Sequence, residues 1–140
     1  MAALIYNSLI DLWSKGSIDF DTDTFKGLLL TDAYVPDRAV HDYRNDLTNE
    51  ITGTGYTAGG IAVPVTSVKN TAANTQVITF GLALWTGFVG STYAIAYYKS
   101  RGGAADADEL CAYNSFGQTI NIDDPGTFVA SPTIITLAIR

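Results

Sequence analysis

A mainly β protein is the fold class this sequence predicts: a single-domain antiparallel β-sandwich, jelly-roll-like, with a short N-terminal helix. Three observations carry that expectation. From residue 60 onward, short β-branched and aromatic runs alternate with turn residues, at the spacing of a sandwich or barrel. Only residues 3–15 show a clear helical period. The chain is 47% hydrophobic but only 16% charged, a balance that suits a β-rich domain burying part of its surface against partners. Its 140 residues read as one domain, 1–140, large enough to bury a core without disulfide or metal.

The elements follow in order. Leu4, Ile5, Leu9, Leu12 and Trp13 fall on one side of a helix, with Asn7, Asp11 and Lys15 opposite and Gly16 at its end. Residues 18–25 partly alternate polar and apolar side chains, as an extended strand does, and lead into the buried-strand run Gly27-Leu28-Leu29-Leu30. Tyr34-Val35-Pro36-Asp37 is a turn, because proline fixes its own φ and disfavours helix at Val35. One short helical segment is expected near residues 38–47, and 48–52 forms an extended link. Strands are expected at 61–68, weakened by Pro64, and at 76–80, 82–85, 93–99, 110–116, 118–122 and 133–139. Turns separate them at 70–74 and at Asp123-Asp124-Pro125-Gly126. Arg101 to Asp108 is a polar, Gly/Ala-rich loop.

Composition removes several classes of function. The net charge is −6 and no basic run exists, which argues against nucleic acid as a partner, since that affinity comes from Lys and Arg on phosphates. No stretch approaches the roughly 20 apolar residues of a membrane span, and the N-terminus lacks the basic region of a secretory signal. Cys111 is the only cysteine, so an intramolecular disulfide and a Cys-rich zinc site are ruled out. A reducing compartment and a buried, inert thiol are the expectations. No cofactor or metal is expected.

Four features invite a functional reading. Residues 50–60, Glu-Ile-Thr-Gly-Thr-Gly-Tyr-Thr-Ala-Gly-Gly, suggest a phosphate loop. Such a loop needs a helix after it, and here Ile61-Ala62-Val63-Pro64 follows, so the glycines read as an exposed connection with Tyr56 at its centre. Asp19, Asp21 and Asp23 mimic the start of a calcium loop, but Thr24 and Leu30 stand where Gly and Glu are required; a solvated strand face is the simpler reading. His41, the lone histidine, has no second imidazole and no nucleophile elbow beside it, which leaves a local hydrogen bond next to a turn. Tyr93, Tyr97 and Tyr98 suggest a glycan platform, although only Tyr93 and Tyr97 share a face. No catalytic constellation emerges, and a non-enzyme is expected.

The set Ile5-Tyr6-Asn7-Ser8-Leu9, Asp19 to Lys26, Tyr34-Val35-Pro36-Asp37, His41-Asp42 and Asn49 to Gly60 resembles a family of small virion structural proteins of tailed bacteriophages. The similarity is densest over residues 5–60 and persists loosely at Trp85 and Tyr93 to Lys99. The resemblance implies a capsid decoration, or cement, protein on the outside of the head, made in the host bacterial cytoplasm. Its implied partners are the major capsid protein and further copies of itself as a dimer or trimer, with neither nucleic acid nor membrane. A head or tail fibre component or a tail adaptor is the alternative, and a glycan-binding module the further one. Apolar and aromatic residues in segments expected to be exposed give the candidate contacts: Leu4, Ile5, Leu9 and Trp13 at the N-terminus, Tyr34 and Tyr43, and Thr54, Gly55 and Tyr56 in the glycine segment.

Overall fold

The computed structural model describes residues 3–138. Eight strands, β1 (Leu4–Ile5), β2 (Phe25–Leu30), β3 (Ile61–Val63), β4 (Val65–Asn70), β5 (Thr75–Phe80), β6 (Ala83–Lys99), β7 (Glu109–Ala130) and β8 (Thr133–Ala138), form two antiparallel sheets. The larger has the order β1-β7-β6-β2-β3 and the smaller β4-β5-β8. Together they make a β-sandwich. The chain passes between the sheets at Pro64, at Gly81-Leu82 and at Ser131-Pro132. Pro64 splits the expected strand 61–68 at the first crossing, because its missing N–H ends one ladder where the next begins.

The main core lies between the sheets. Phe80 of β5 stacks on Tyr97 of β6 with ring centroids 4.6 Å apart, and Phe25, Leu29, Ile78, Ile95 and Ile135 join them. The larger sheet is also buried on its other face. There Leu28, Leu30, Ala94, Ala96, Tyr98 and Leu110 pack with Tyr6 and Tyr34, supplied by the N-terminus and the segment after β2. Burial on both faces explains why Gly27–Leu30 is a continuous apolar run and not an alternation. Gly27 is small for a local reason: a Cβ there would meet Ile95 Cδ1 at 3.0 Å.

Several expectations change. The N-terminal helix, α1, spans only Asn7–Ser14, because Leu4 and Ile5 pair with Tyr113 and Ala112 as strand β1 instead. Residues 18–24 are turns and not a strand. Asp21 N–H donates to Asp19 Oδ1 at 2.9 Å, Asp19 N–H donates to Asp23 Oδ2 at 2.7 Å, and Lys99 Nζ lies 2.9 Å from Asp23 Oδ2. The Asp19 and Asp23 carboxylates therefore answer backbone donors and a lysine, as parts of a turn and not of a strand face. The Asp21 N–H, with smaller help from Thr22, holds the Asp19 carboxyl below the usual range.

The largest change concerns β6 and β7. Residues 83–85 and 93–99 belong to one strand of 17 residues, with Leu82 left in the crossing, and 110–130 belongs to one of 22. Asp123-Asp124-Pro125-Gly126 does not turn the chain. Phe88 pairs with Gly126 and Gly90 with Ile122, so two steps on β6 face four on β7 and the extra residues bulge. Proline and paired aspartates are tolerated there because the bulge needs no ladder N–H from Pro125. The helical segment expected at 38–47 is a 3-10 turn at Arg44–Asp46, where the Asp46 carboxylate accepts the N–H of Asp42 and Tyr43. Ile139, the last residue of the expected final strand, lies outside the described residues.

Phe80→Ala would remove a ring held between both sheets. The expected loss is about 3–5 kcal/mol of unfolding free energy, read from the urea midpoint. Val68→Ala, on an exposed position, is expected to stay within about 0.5 kcal/mol.

Candidate interaction surface

The glycine segment 50–60 is folded onto the sheet by its own polar groups. The Tyr56 hydroxyl donates to Glu50 Oε2 at 2.5 Å and accepts the backbone N–H of Leu29 at 3.1 Å. Glu50 Oε2 also takes the Gly59 N–H at 2.7 Å, and the Tyr98 hydroxyl donates to the Gly59 carbonyl at 2.5 Å. The Tyr56 ring lies 6.1 Å from that of Trp85. Burial, and then the Glu50 carboxylate, push the Tyr56 hydroxyl well above the ordinary tyrosine range. Tyr56 is thus turned inward and half-buried, contrary to the expectation that it stands exposed at the loop centre. The glycines serve this closeness. Gly60 has φ +76°, and a Cβ there would collide with the Gly27 carbonyl oxygen, while one at Gly55 would sit 2.5 Å from the Gly87 carbonyl oxygen.

Tyr34 and His41 belong to a second inward network. The hydroxyls of Tyr6 and Tyr34 lie 2.7 Å apart, Tyr34 Oη is 2.8 Å from His41 Nδ1, and the Asp37 N–H donates to the same nitrogen at 3.2 Å. Nδ1 therefore accepts, so Tyr34 donates to it and Tyr6 donates to Tyr34. His41 is held by a local bond beside a turn, as expected. Tyr34 itself is a core residue. Arg44 Nε donates to Asp108 Oδ2 at 2.7 Å, and its guanidinium carbon sits 5.1 Å from the centre of the Tyr98 ring. This ties the cover segment to the loop between β6 and β7.

Among the other candidate contacts, Leu9 is fully buried. Leu4, Ile5 and Trp13 are partly buried against the core, Trp13 edge-on to Phe20. The amphipathic N-terminus spends its apolar face at home. Tyr43, Thr54 and Gly55 are exposed, Thr54 in an isolated bridge to Val89. Tyr97 and Tyr98 are buried, so they present no ring to a sugar. Cys111 is buried too, and burial raises its thiol far above its ordinary value. Among the described residues no three of His, Cys, Asp and Glu converge as metal ligands.

The exposed surface with the clearest character lies elsewhere. The sequence holds no charged residue at 70–98 and none at 125–139. Folding brings parts of both stretches into the smaller sheet, whose three strands carry Lys69 as their one charge. Register places Thr66 beside Thr79 and Thr79 beside Ile134, then Val68 beside Val77 and Val77 beside Thr136. Ile78, Phe80 and Ile135 point the other way, into the core. The outward face is therefore an uncharged array rich in Thr, Val and Ile on a chain of net charge −6, with Val68 58% and Ile134 60% exposed. Sequence reasoning passed over it. The charge-free runs were its signal, but neither run alone shows that β4, β5 and β8 lie side by side.

Fold and surface define a β-sandwich protein with an uncharged external sheet. Compared with family models, with curated proteins and with solved structures, the chain matches none of them.

Tyr56→Phe would leave the Leu29 N–H without its partner and take from the Glu50 carboxylate one of its two donors, the Gly59 N–H remaining. The expected cost is about 1–3 kcal/mol, seen in chemical denaturation with the overall fold retained. Alkaline pH provides an independent check. Burial pushes the Tyr34 and Tyr98 hydroxyls up to about 12, whereas an unfolded tyrosine ionises near about 10. Above that lower value the unfolded state loses protons that the folded state keeps. Stability is thus complete below about pH 10 and falls as the pH climbs towards the folded values. The denaturation midpoint should drop across that window, and a flat profile through it would contradict the buried phenols.

Proposed function

We propose that this protein is a non-enzymatic structural component of a tailed-bacteriophage particle, a decoration protein that binds the outside of the assembled head and stabilises contacts between major capsid protein subunits. The observation that carries the binding half of this reading is the uncharged outer face of β4, β5 and β8. On an acidic chain, an exposed sheet of β-branched residues without charge is the surface with the lowest cost of desolvation. The particle half rests on the resemblance across residues 5–60. A protein that binds the assembled shell but not its free subunits shifts the equilibrium towards assembly, and many copies act together.

The reactive groups fit this reading. The only thiol is buried, and the only imidazole is occupied by Tyr34 and Asp37. A fibre or tail component would engage the particle at a few positions; a decoration protein occurs in fixed proportion to the capsid protein. Copy number per particle separates them.

The test substitutes Val77→Lys, which places a charge in the middle of the face on the central strand, where a lysine stem reaches solvent without disturbing the core. Occupancy on purified particles is expected to fall at least about tenfold, or 1.4 kcal/mol per tenfold, with unchanged thermal unfolding of the free protein. A folded variant that decorates particles fully would remove the face from the interface.

A further inference from the structure

The sandwich has four edges, and three of them are guarded against pairing. β1 is two residues long, and β3 is three residues long and runs into Pro64. β4 begins just after that proline and carries Lys69. Beyond its short pairing with β1, β7 is an edge interrupted by register shifts, by Gly117 at φ +84°, and by Asp123, Asp124 and Pro125. Such bulges, charges and prolines are the usual means of keeping an edge from recruiting another strand.

β8 starts after Pro132, but within the strand it has none of them. Its sequence, Thr-Ile-Ile-Thr-Leu-Ala, has no charge, proline or glycine, and it pairs with β5 in unbroken register from Thr133 to Ala138. Among the described residues no strand lies along its other side. That side presents unpaired backbone N–H and C=O groups in a regular ladder, next to Ile134, which is 60% exposed, and exposed Thr136.

We infer that β8 is a self-pairing edge: two copies of this chain join antiparallel through β8 and form one continuous six-stranded sheet, β4-β5-β8 followed by its mirror in sequence order. The occupant is a second copy because the strand matches itself. Thr133, Ile135 and Leu137 face the core side, and Ile134, Thr136 and Ala138 face out. A two-fold axis passing through a residue pairs inward positions with inward and outward with outward, so both faces stay consistent across the seam. An isologous contact of this kind closes at a dimer. Charge favours it as well. Two chains of −6 repel on most approaches, and the charge-free stretch 125–139 lets them meet without placing like charges opposite each other. A foreign strand carrying a charge would find no complement on β8. The pairing also doubles the uncharged face on one side of the joined sheet.

The experiment uses the full chain in solution, without particles, so its failure leaves the shell-binding reading standing. Sedimentation equilibrium across a wide concentration range is expected to show a monomer–dimer equilibrium. Thr136→Lys, which brings like charges together across the seam, should shift it to monomer with circular dichroism unchanged, while Val68→Lys on the opposite edge of the same sheet should leave the dimer intact. Carrying Ile134→Cys and Thr136→Cys together, the chain is expected to form a covalent dimer on mild oxidation, since one cysteine meets another for an axis at residue 134, 135 or 136. A wild type that stays monomeric, a closed trimer, a dimer untouched by Thr136→Lys, or the absence of a crosslink in the folded double variant would each overturn the pairing.

Discussion

The structure depends on one constraint: the central strands of the larger sheet are apolar on both faces. Leu28 and Leu30 point one way and Leu29 the other, and Ala94, Ala96 and Tyr98 alternate likewise with Ile95 and Tyr97. A sheet of this kind has no side to leave in water. The smaller sheet covers one face. Among the described residues no second sheet or long helix covers the other, so the irregular segment after β2 does, and irregular chain brings unpaired backbone groups with it. The bonds of Tyr34, His41, Asp46 and Arg44 are the response, while Ile51 and Tyr56 further along turn to the core between the sheets. They let a loop serve as a layer. The resemblance-bearing residues 34–60 are, in this light, mostly the closure of the molecule's own core.

That division separates the two halves of the surface. The cover layer holds aromatic and charged residues that look like binding groups in the sequence and are largely consumed internally. The smaller sheet holds short, uncharged residues that look unremarkable one by one and stay exposed together. Tyr34 and Leu9 are aromatic or large and belong inside. Val68, Val77, Thr79 and Ile134 are modest and face out.

Much of the fold was legible because strand signals are local. Gly27–Leu30, Gln76–Phe80 and the final strand were each readable from a handful of residues, and Pro64 and Gly16 marked real boundaries. What was not legible depended on pairing. Asp123-Asp124-Pro125-Gly126 has the residues of a turn, and only the neighbouring β6 turns it into a bulge. Asp19, Asp21 and Asp23 alternate as on a strand, yet the oxygens of Asp19 and Asp23 reach N–H groups two and four residues away, which bends the chain first. Tyr56 sits among glycines, the usual mark of exposure, and its hydroxyl is drawn inward by Glu50 six residues earlier.

The pairing of Leu4 and Ile5 with Tyr113 and Ala112 has a consequence for how the protein comes into being. The first strand of the chain waits for a partner more than a hundred residues downstream, and β2 waits for β6. A growing chain leaving the ribosome therefore holds β1 without its strand partner until β7 has been made. Folding of this kind, dominated by contacts distant in sequence, is slow and cannot be completed piece by piece. Each copy therefore reaches its native fold only after β8 has been made.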